Sequence, residues 1–240
     1  FVLRALAVAL RPEFEQAYGE RRVRAAYAAT SAQTGPRRLA NTCLRYLGCA
    51  GDDAARALAV AHFDSADNMT DTIAALAALK DGVSAERDDL FARFEAKWRD
   101  EPLVLDKWFG LEATSARADT LARVRRLLAH PRFNTRNPNR VRSLVGAFAL
   151  RNFARFHAAD GDGYDFAADQ VLARGQIVGL ANHTVLVSRD GVEYQIADSG
   201  APIRRPDGEI IGVVLVFRDV TEANLQAQQI RDNERLLKSI

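Results

Sequence analysis

Cysteine is nearly absent: Cys43 and Cys49 are the only two in 240 residues. Two thiols six positions apart on one helix point in different directions and do not bridge. A disulfide-stapled secreted scaffold is therefore excluded, and the pair reads as buried thiols in a reducing, cytoplasmic setting. Long apolar runs are missing too. No stretch approaches the roughly 18 residues that a membrane span needs. The apolar opening, Phe1 to Leu10, has no basic leader and reads as a helix entered mid-protein rather than a signal peptide. Charge of one sign is also lacking: 33 Lys and Arg face 31 Asp and Glu, for a net +2. With no basic stripe interleaved with aromatics, neither nucleic acid nor membrane is expected as a partner. Histidine occurs four times, as His62-Phe, His130-Pro, His157-Ala and His183-Thr. No pair has the spacing that zinc ligation on a helix requires, and no H-E-x-x-H occurs. Each histidine is expected to be structural or on the surface, and no cofactor is expected in this chain.

What is present is an apolar fraction of 48% with 27% charged residues, the balance of a globular protein. Apolar residues recur at helical spacing up to about Leu172. The spacing predicts helices over 2–10, 12–29, 36–48, 52–63, 68–80, 84–99, 102–113, 117–129, 138–150 and 164–172. A helix recurs about every 16 residues and a pair about every 33, the scale of an armadillo-like stack. Asn68-Met-Thr-Asp71 has the form of a capping box. Pro102 and Asn137-Pro138 mark helix starts. Phe91, Phe94, Trp98, Trp108 and Phe109 straddle two helices and are expected to pack in the core.

The period then changes. Residues 183–188, 193–199 (running on to 203) and 209–218 alternate as strands, with Asp-Gly turns between them. Strand 209–218 is apolar on both faces, which suits a central strand. The fold class expected is α+β: an armadillo-like helical stack, a three-stranded antiparallel meander and a C-terminal helix over 222–240. In that helix Ala223, Ile230 and Leu237 make a weak heptad.

Two resemblances follow from ordered blocks of residues. The first runs through His62-Phe63, Asp67-Asn-Met-Thr-Asp71, Lys97-Trp98, Leu105-Asp-Lys-Trp-Phe109, Asn137-Pro-Asn-Arg-Val-Arg-Ser-Leu144, Gly146-Ala-Phe148 and Asp160-Gly-Asp-Gly-Tyr164. In this order they resemble the C-terminal helical domain of bacterial aminopeptidase N, a zinc exopeptidase, over residues 1–172. The resemblance implies a non-catalytic domain that encloses the active-site cavity. The parent's catalytic domain is then its partner, and the zinc belongs to that parent. It also implies that Asn137, Asn139, Arg140 and Arg142 line the substrate cavity, with Arg142 matching a cavity-lining arginine. From the residues alone, amide and Arg side chains at a helix start favour anions, or are simply solvated.

The second resemblance covers 177–240. Arg189-Asp-Gly, Ala201-Pro-Ile, Asp207-Gly-Glu-Ile-Ile-Gly and Asp219-Val-Thr-Glu222 look like the C-terminal half of a PAS sensor domain. It implies an output junction at Asp219 and Thr221, and domains of 1–172, 177–221 and 222–240. Both resemblances are partial, and they meet at one junction. The leading expectation is a peptidase cavity domain joined to a PAS remnant, without activity alone. The alternatives are a PAS-type signalling module with a helical docking domain, and a lid that complements a catalytic domain in trans. The apolar strand 209–218 is further expected to support self-association.

Overall fold

The computed structural model describes residues 2–174, 178–179, 184–187, 192–207, 210–223 and 226. His183, the turn at 189–191, Glu209 and most of the tail lie outside them, so the readings placed there are not addressed by the structure. The chain divides into two compact units, Phe1–Arg132 and Phe133–Ile240.

The described elements of the first unit are all helices: α1 Val2–Ala9, α2 Arg11–Arg21, α3 Ser31–Gly48, α4 Asp53–Asp64, α5 Met69–Leu79, α6 Ala85–Trp98, α7 Pro102–Ala113 and α8 Thr120–Leu127. Local chemistry sets the starts. Asp52, Asn68 and Ser84 cap α4, α5 and α6 by accepting from the N–H groups of Ala55, Asp71 and Arg87. Pro102 opens α7, where no intrahelical N–H is needed. Gly51, at φ +74°, turns the chain sharply between α3 and α4. Consecutive helices pack together, and α3 also reaches α5. There the Gly48 backbone lies so close that a Cβ would stand 2.3 Å from the Ala78 carbonyl oxygen. The core is built from Leu44, Leu47, Leu76, Leu90, Phe91, Phe94, Leu105 and Phe109, all essentially inaccessible. Four of the five clustered aromatics, Phe91, Phe94, Trp108 and Phe109, lie in it as expected, while Trp98 is half-buried at its edge; the Trp108 indole donates to the Phe91 carbonyl at 3.1 Å.

One expected helix is cut short. The pattern over 12–29 ends at Arg21, and residues 22–30 run as a non-helical arm. Alanine-rich sequence there favours helix, yet side chains from elsewhere hold the arm's backbone open. Asp67 accepts from Tyr27 N–H at 2.8 Å. Gln33 accepts from Ala28 N–H and donates to the Ala26 carbonyl, both at 2.9 Å. Tertiary hydrogen bonds have overridden propensity. The following helix starts at Ser31, earlier than expected, with Pro36 inside it.

The second unit begins with α9 Pro138–Val141, a π-helical segment Arg142–Gly146, α10 Ala147–Arg151, α11 Phe153–Phe156 and α12 Asp162–Arg174. Phe148 meets Phe156 and Phe166 edge-on at 5.9 and 5.6 Å, forming the unit's apolar centre. Gly163 lets α12 approach closely, since a Cβ there would stand 2.1 Å from the Phe156 carbonyl oxygen.

The expected fold class is corrected here. The chain is mostly helical, with helices running from Val2 to Arg174, and the three-stranded PAS-like meander is not what the strands form. They make a four-stranded antiparallel sheet of β1 Val178–Gly179, β2 Thr184–Val187, β3 Glu193–Arg204 and β4 Ile210–Asp219. β3 pairs with all three others. At 12 residues it is long enough to hold β4 on one edge and both short strands on the other. The central place expected for 209–218 therefore belongs to β3, and among the described residues β4 pairs with β3 alone. Alternation of apolar residues sets which faces a strand presents, but not how many neighbours it finds.

Candidate functional site

Asn137 caps α9, its side chain accepting from Asn139 N–H at 3.0 Å and from Arg140 N–H at 3.4 Å. That turn fixes the direction of the next residues. Asn139 and Arg142 are exposed, Asn137 is half-buried, and Arg140 is buried at 4% exposure. The sequence-predicted set therefore divides: Asn139 and Arg142 offer their side chains to solvent, while Arg140 is built into the unit. Arg142 opens the π-helical segment, a widened turn of a kind frequent at functional sites. Gly146, one π-turn on, lies against the Arg142 stem, where an added Cβ would meet its Cβ at 3.7 Å. Farther along, Asp219 accepts from Thr221 N–H at 2.9 Å, and the Thr221 hydroxyl, then this bond, hold its carboxyl below the usual range. Residues 221–223 then turn helical.

The first unit contains a polar cluster that sequence reading missed. Asp71, expected in a capping box, gives its N–H to the Asn68 cap and is 8% exposed, with its carboxylate the centre of the cluster. Its Oδ2 accepts from Arg37 Nε at 3.1 Å and from the Asn68 amide at 2.8 Å, and its Oδ1 from the Asn41 amide at 2.8 Å. His62 lies beside it, 3% exposed, with Nδ1 at 2.8 Å from the Tyr18 hydroxyl and Nε2 at 3.9 Å from Asp71 Oδ1. Burial pushes the His62 pKa down to about 4 and raises that of Tyr18, so the imidazole is neutral and the phenol protonated. A bare Nε2 would turn its lone pair toward the Asp71 carboxylate. The carboxylate therefore favours the tautomer with its proton on Nε2, in which Tyr18 donates to Nδ1. Only the Asn68-to-Asp71 spacing gave any hint of this cluster in the sequence, because its members come from four helices.

Two cavities flank the cluster. One, of about 440 Å³, is a groove between α3 and α5 with Ile73, Ala74 and Ala77 among its lining and Arg38 and Arg45 beside them. The other, of about 400 Å³, lies between the arm 22–26 and the corner joining α4 to α5. Of the other histidines described, His130 packs on Trp108 and Phe109 and approaches Glu95 at 3.3 Å. His157 meets the Tyr164 hydroxyl at 2.6 Å. Among the described residues no three His, Cys, Asp or Glu side chains gather, so they do not fit a zinc centre. Cys43 is buried and Cys49 half-buried, both as free thiols. Among the described residues no helix is long and apolar enough to cross a membrane.

Comparison with known proteins decides the family. Residues 1–177 match the family described as "Domain of unknown function (DUF3458_C) ARM repeats". The chain belongs to this family. Its relatives show this to be the C-terminal helical repeat domain of aminopeptidase N. Aminopeptidase N of Haemophilus influenzae is 40% identical over 172 residues, covering 72% of this chain and 19% of that protein. Aminopeptidase N of Escherichia coli is 47% identical over 135 residues, covering 56% and 16%. Among solved structures, Legionella pneumophila aminopeptidase A in complex with aspartic acid aligns with a TM-score of 0.63 and 28% identity, over 72% of this chain and 21% of that one. The chain thus spans about a fifth of the length of the relatives it matches. The family match stops at residue 177, and the PAS resemblance of 177–240 gains no support from it or from the relatives.

Proposed function

We propose that this chain is the cavity-enclosing helical region of an aminopeptidase N-type zinc exopeptidase, and that it carries out no catalytic step by itself. The observation that carries this reading is the 40% identity over 172 residues to a protein of which the chain covers only 19%. The catalytic zinc and its ligands then belong to the other part of such an enzyme. Asn137, Asn139, Arg140 and Arg142 face or frame the substrate path. The exposed Arg142 and Asn139 meet substrate, while the buried Arg140 and the cap from Asn137 hold that turn in place. An arginine on this wall supplies a fixed cation that suits the carboxylate end of a peptide.

The test has two arms. The 240-residue chain alone, dialysed and analysed for metal, is expected to hold no stoichiometric zinc and to release no product from aminoacyl p-nitroanilides. Turnover by the chain alone overturns the non-catalytic reading. A whole aminopeptidase N in which this chain replaces the matching segment is expected to be active. In it Arg142→Ala is expected to raise KM for peptides more than it lowers kcat. An unchanged KM removes Arg142 from the cavity wall.

A further inference from the structure

The cavity between the arm and the α4–α5 corner has a charge pattern of its own. The arm brings two cations, Arg22 and Arg24; the corner and the start of α5 bring two carboxylates, Asp67 and Asp71. Arg22 bonds the Ser65 hydroxyl across the cavity, and Arg24 is exposed. Between the two charged walls stands His62. Its ring is almost wholly buried, and its Nε2 has no hydrogen-bond partner. A buried N–H left unsatisfied is costly, so such a group needs an explanation. Asp71 Oδ1, at 3.9 Å, is too far to bond it.

We propose that this cavity binds a small zwitterion, a free α-amino acid, with its carboxylate toward Arg24, Arg22 and the His62 Nε2–H and its ammonium toward the exposed Asp67, Asp71 being already bonded to Arg37, Asn41 and Asn68. The juxtaposition of opposite charges across about 400 Å³ selects a dipolar molecule. A simple anion would meet the Asp71 carboxylate beside the imidazole, and a simple cation would meet the two arginines. The volume suits an amino acid with room for its side chain. The site lies wholly in the first unit and does not depend on the cavity-enclosing role proposed above. The arm 22–30 forms one wall, so occupancy would fix it against α4 and α5.

The experiment uses the whole 240-residue chain. Glycine, leucine, aspartate and arginine are titrated in turn by calorimetry, with the His62 ring followed by NMR. Acetate and ethylamine serve as single-charge controls. At least one amino acid is expected to bind with millimolar Kd and to shift the His62 ring signals. Each control is expected to bind at least about tenfold more weakly, a difference of ~1.4 kcal/mol. Arg24→Ala, at an exposed position, is expected to weaken binding about tenfold with the thermal midpoint unchanged. Ala25→Trp, which fills the cavity from the arm, is expected to abolish it. The proposal is overturned if no amino acid binds, if acetate binds as well as the zwitterions, or if binding leaves the His62 signals and both variants unaffected.

Discussion

Glu112 on α7 holds Arg87 on α6 through both ends of its guanidinium, Oε1 to Nη1 at 3.0 Å and Oε2 to Nη2 at 2.6 Å, in a place where the two side chains are 5% and 1% exposed. The guanidinium also lies over the Phe91 ring, 3.8 Å from its centre. Arg123 of α8 approaches the same carboxylate at 3.8 Å, so three successive helices meet on one buried charge. Removing Glu112 strips the buried Arg87 of its two-point partner and leaves it only the exposed Asp88 carboxylate, which its Nη1 meets at 3.1 Å. Glu112→Ala is therefore expected to destabilise the first unit by about 3–5 kcal/mol in urea unfolding. The double variant Arg87→Met, Glu112→Leu should recover most of that loss. A single variant as stable as the parent would show the pair to be dispensable.

His62 gives the first unit an acid sensitivity of known sign. Its folded pKa, about 4, lies below the ordinary 6.5, so below pH 6.5 the unfolded chain binds a proton that the folded chain refuses. Stability is then expected to fall by up to about 1.4 kcal/mol per pH unit on going from 6.5 toward 4, and this contribution levels off below. It is fully present above pH 6.5. Denaturation midpoints measured across this range should show the slope, and His62→Phe should reduce it. An equal slope in both proteins would place the acid sensitivity elsewhere.

Gly48 marks the closest approach of α3 and α5. An alanine methyl there would overlap the Ala78 carbonyl oxygen, which belongs to backbone and cannot turn aside. Gly48→Ala is expected to cost about 1–3 kcal/mol despite the better helix propensity of alanine. Gly35→Ala, which meets nothing within 4 Å, serves as the matched control and should be neutral or slightly stabilising. Equal effects at both positions would show that the helices separate at little cost.

For the second unit we propose that β4 pairs with a second copy of itself. Val214 and Val216 are 41% and 46% exposed, and among the described residues β3 is the one strand that pairs with β4, while α12 packs against both. An edge strand of ten residues with apolar side chains is a template for pairing. Light scattering should show mass rising with concentration, and Val214→Lys should return the chain to monomer. A monomer at every concentration, indifferent to the substitution, ends this proposal.

The sequence by itself determined where most helices begin. The caps at Asn68, Ser84 and Asn137 and the prolines at 102 and 138 act within one turn of chain, and the structure uses each as a helix start. Ordered blocks from His62 to Tyr164 also pointed to the family. Of the candidate site, the Asn137 cap was legible, but the split that exposes Arg142 and buries Arg140 was not. Tertiary structure alone ended the helix of 12–29 at Arg21, because the groups that hold the arm, Gln33 and Asp67, belong to other elements. It made the Asp71 carboxylate the centre of a buried cluster with Arg37, and set His62 against Tyr18 across 44 residues of sequence. It also made β3 rather than β4 the middle of the sheet. Periodicity and capping are properties of a few adjacent residues. Burial brings together groups that are far apart in the chain, and the low dielectric around them then decides which charges must be paired and which protons must stay.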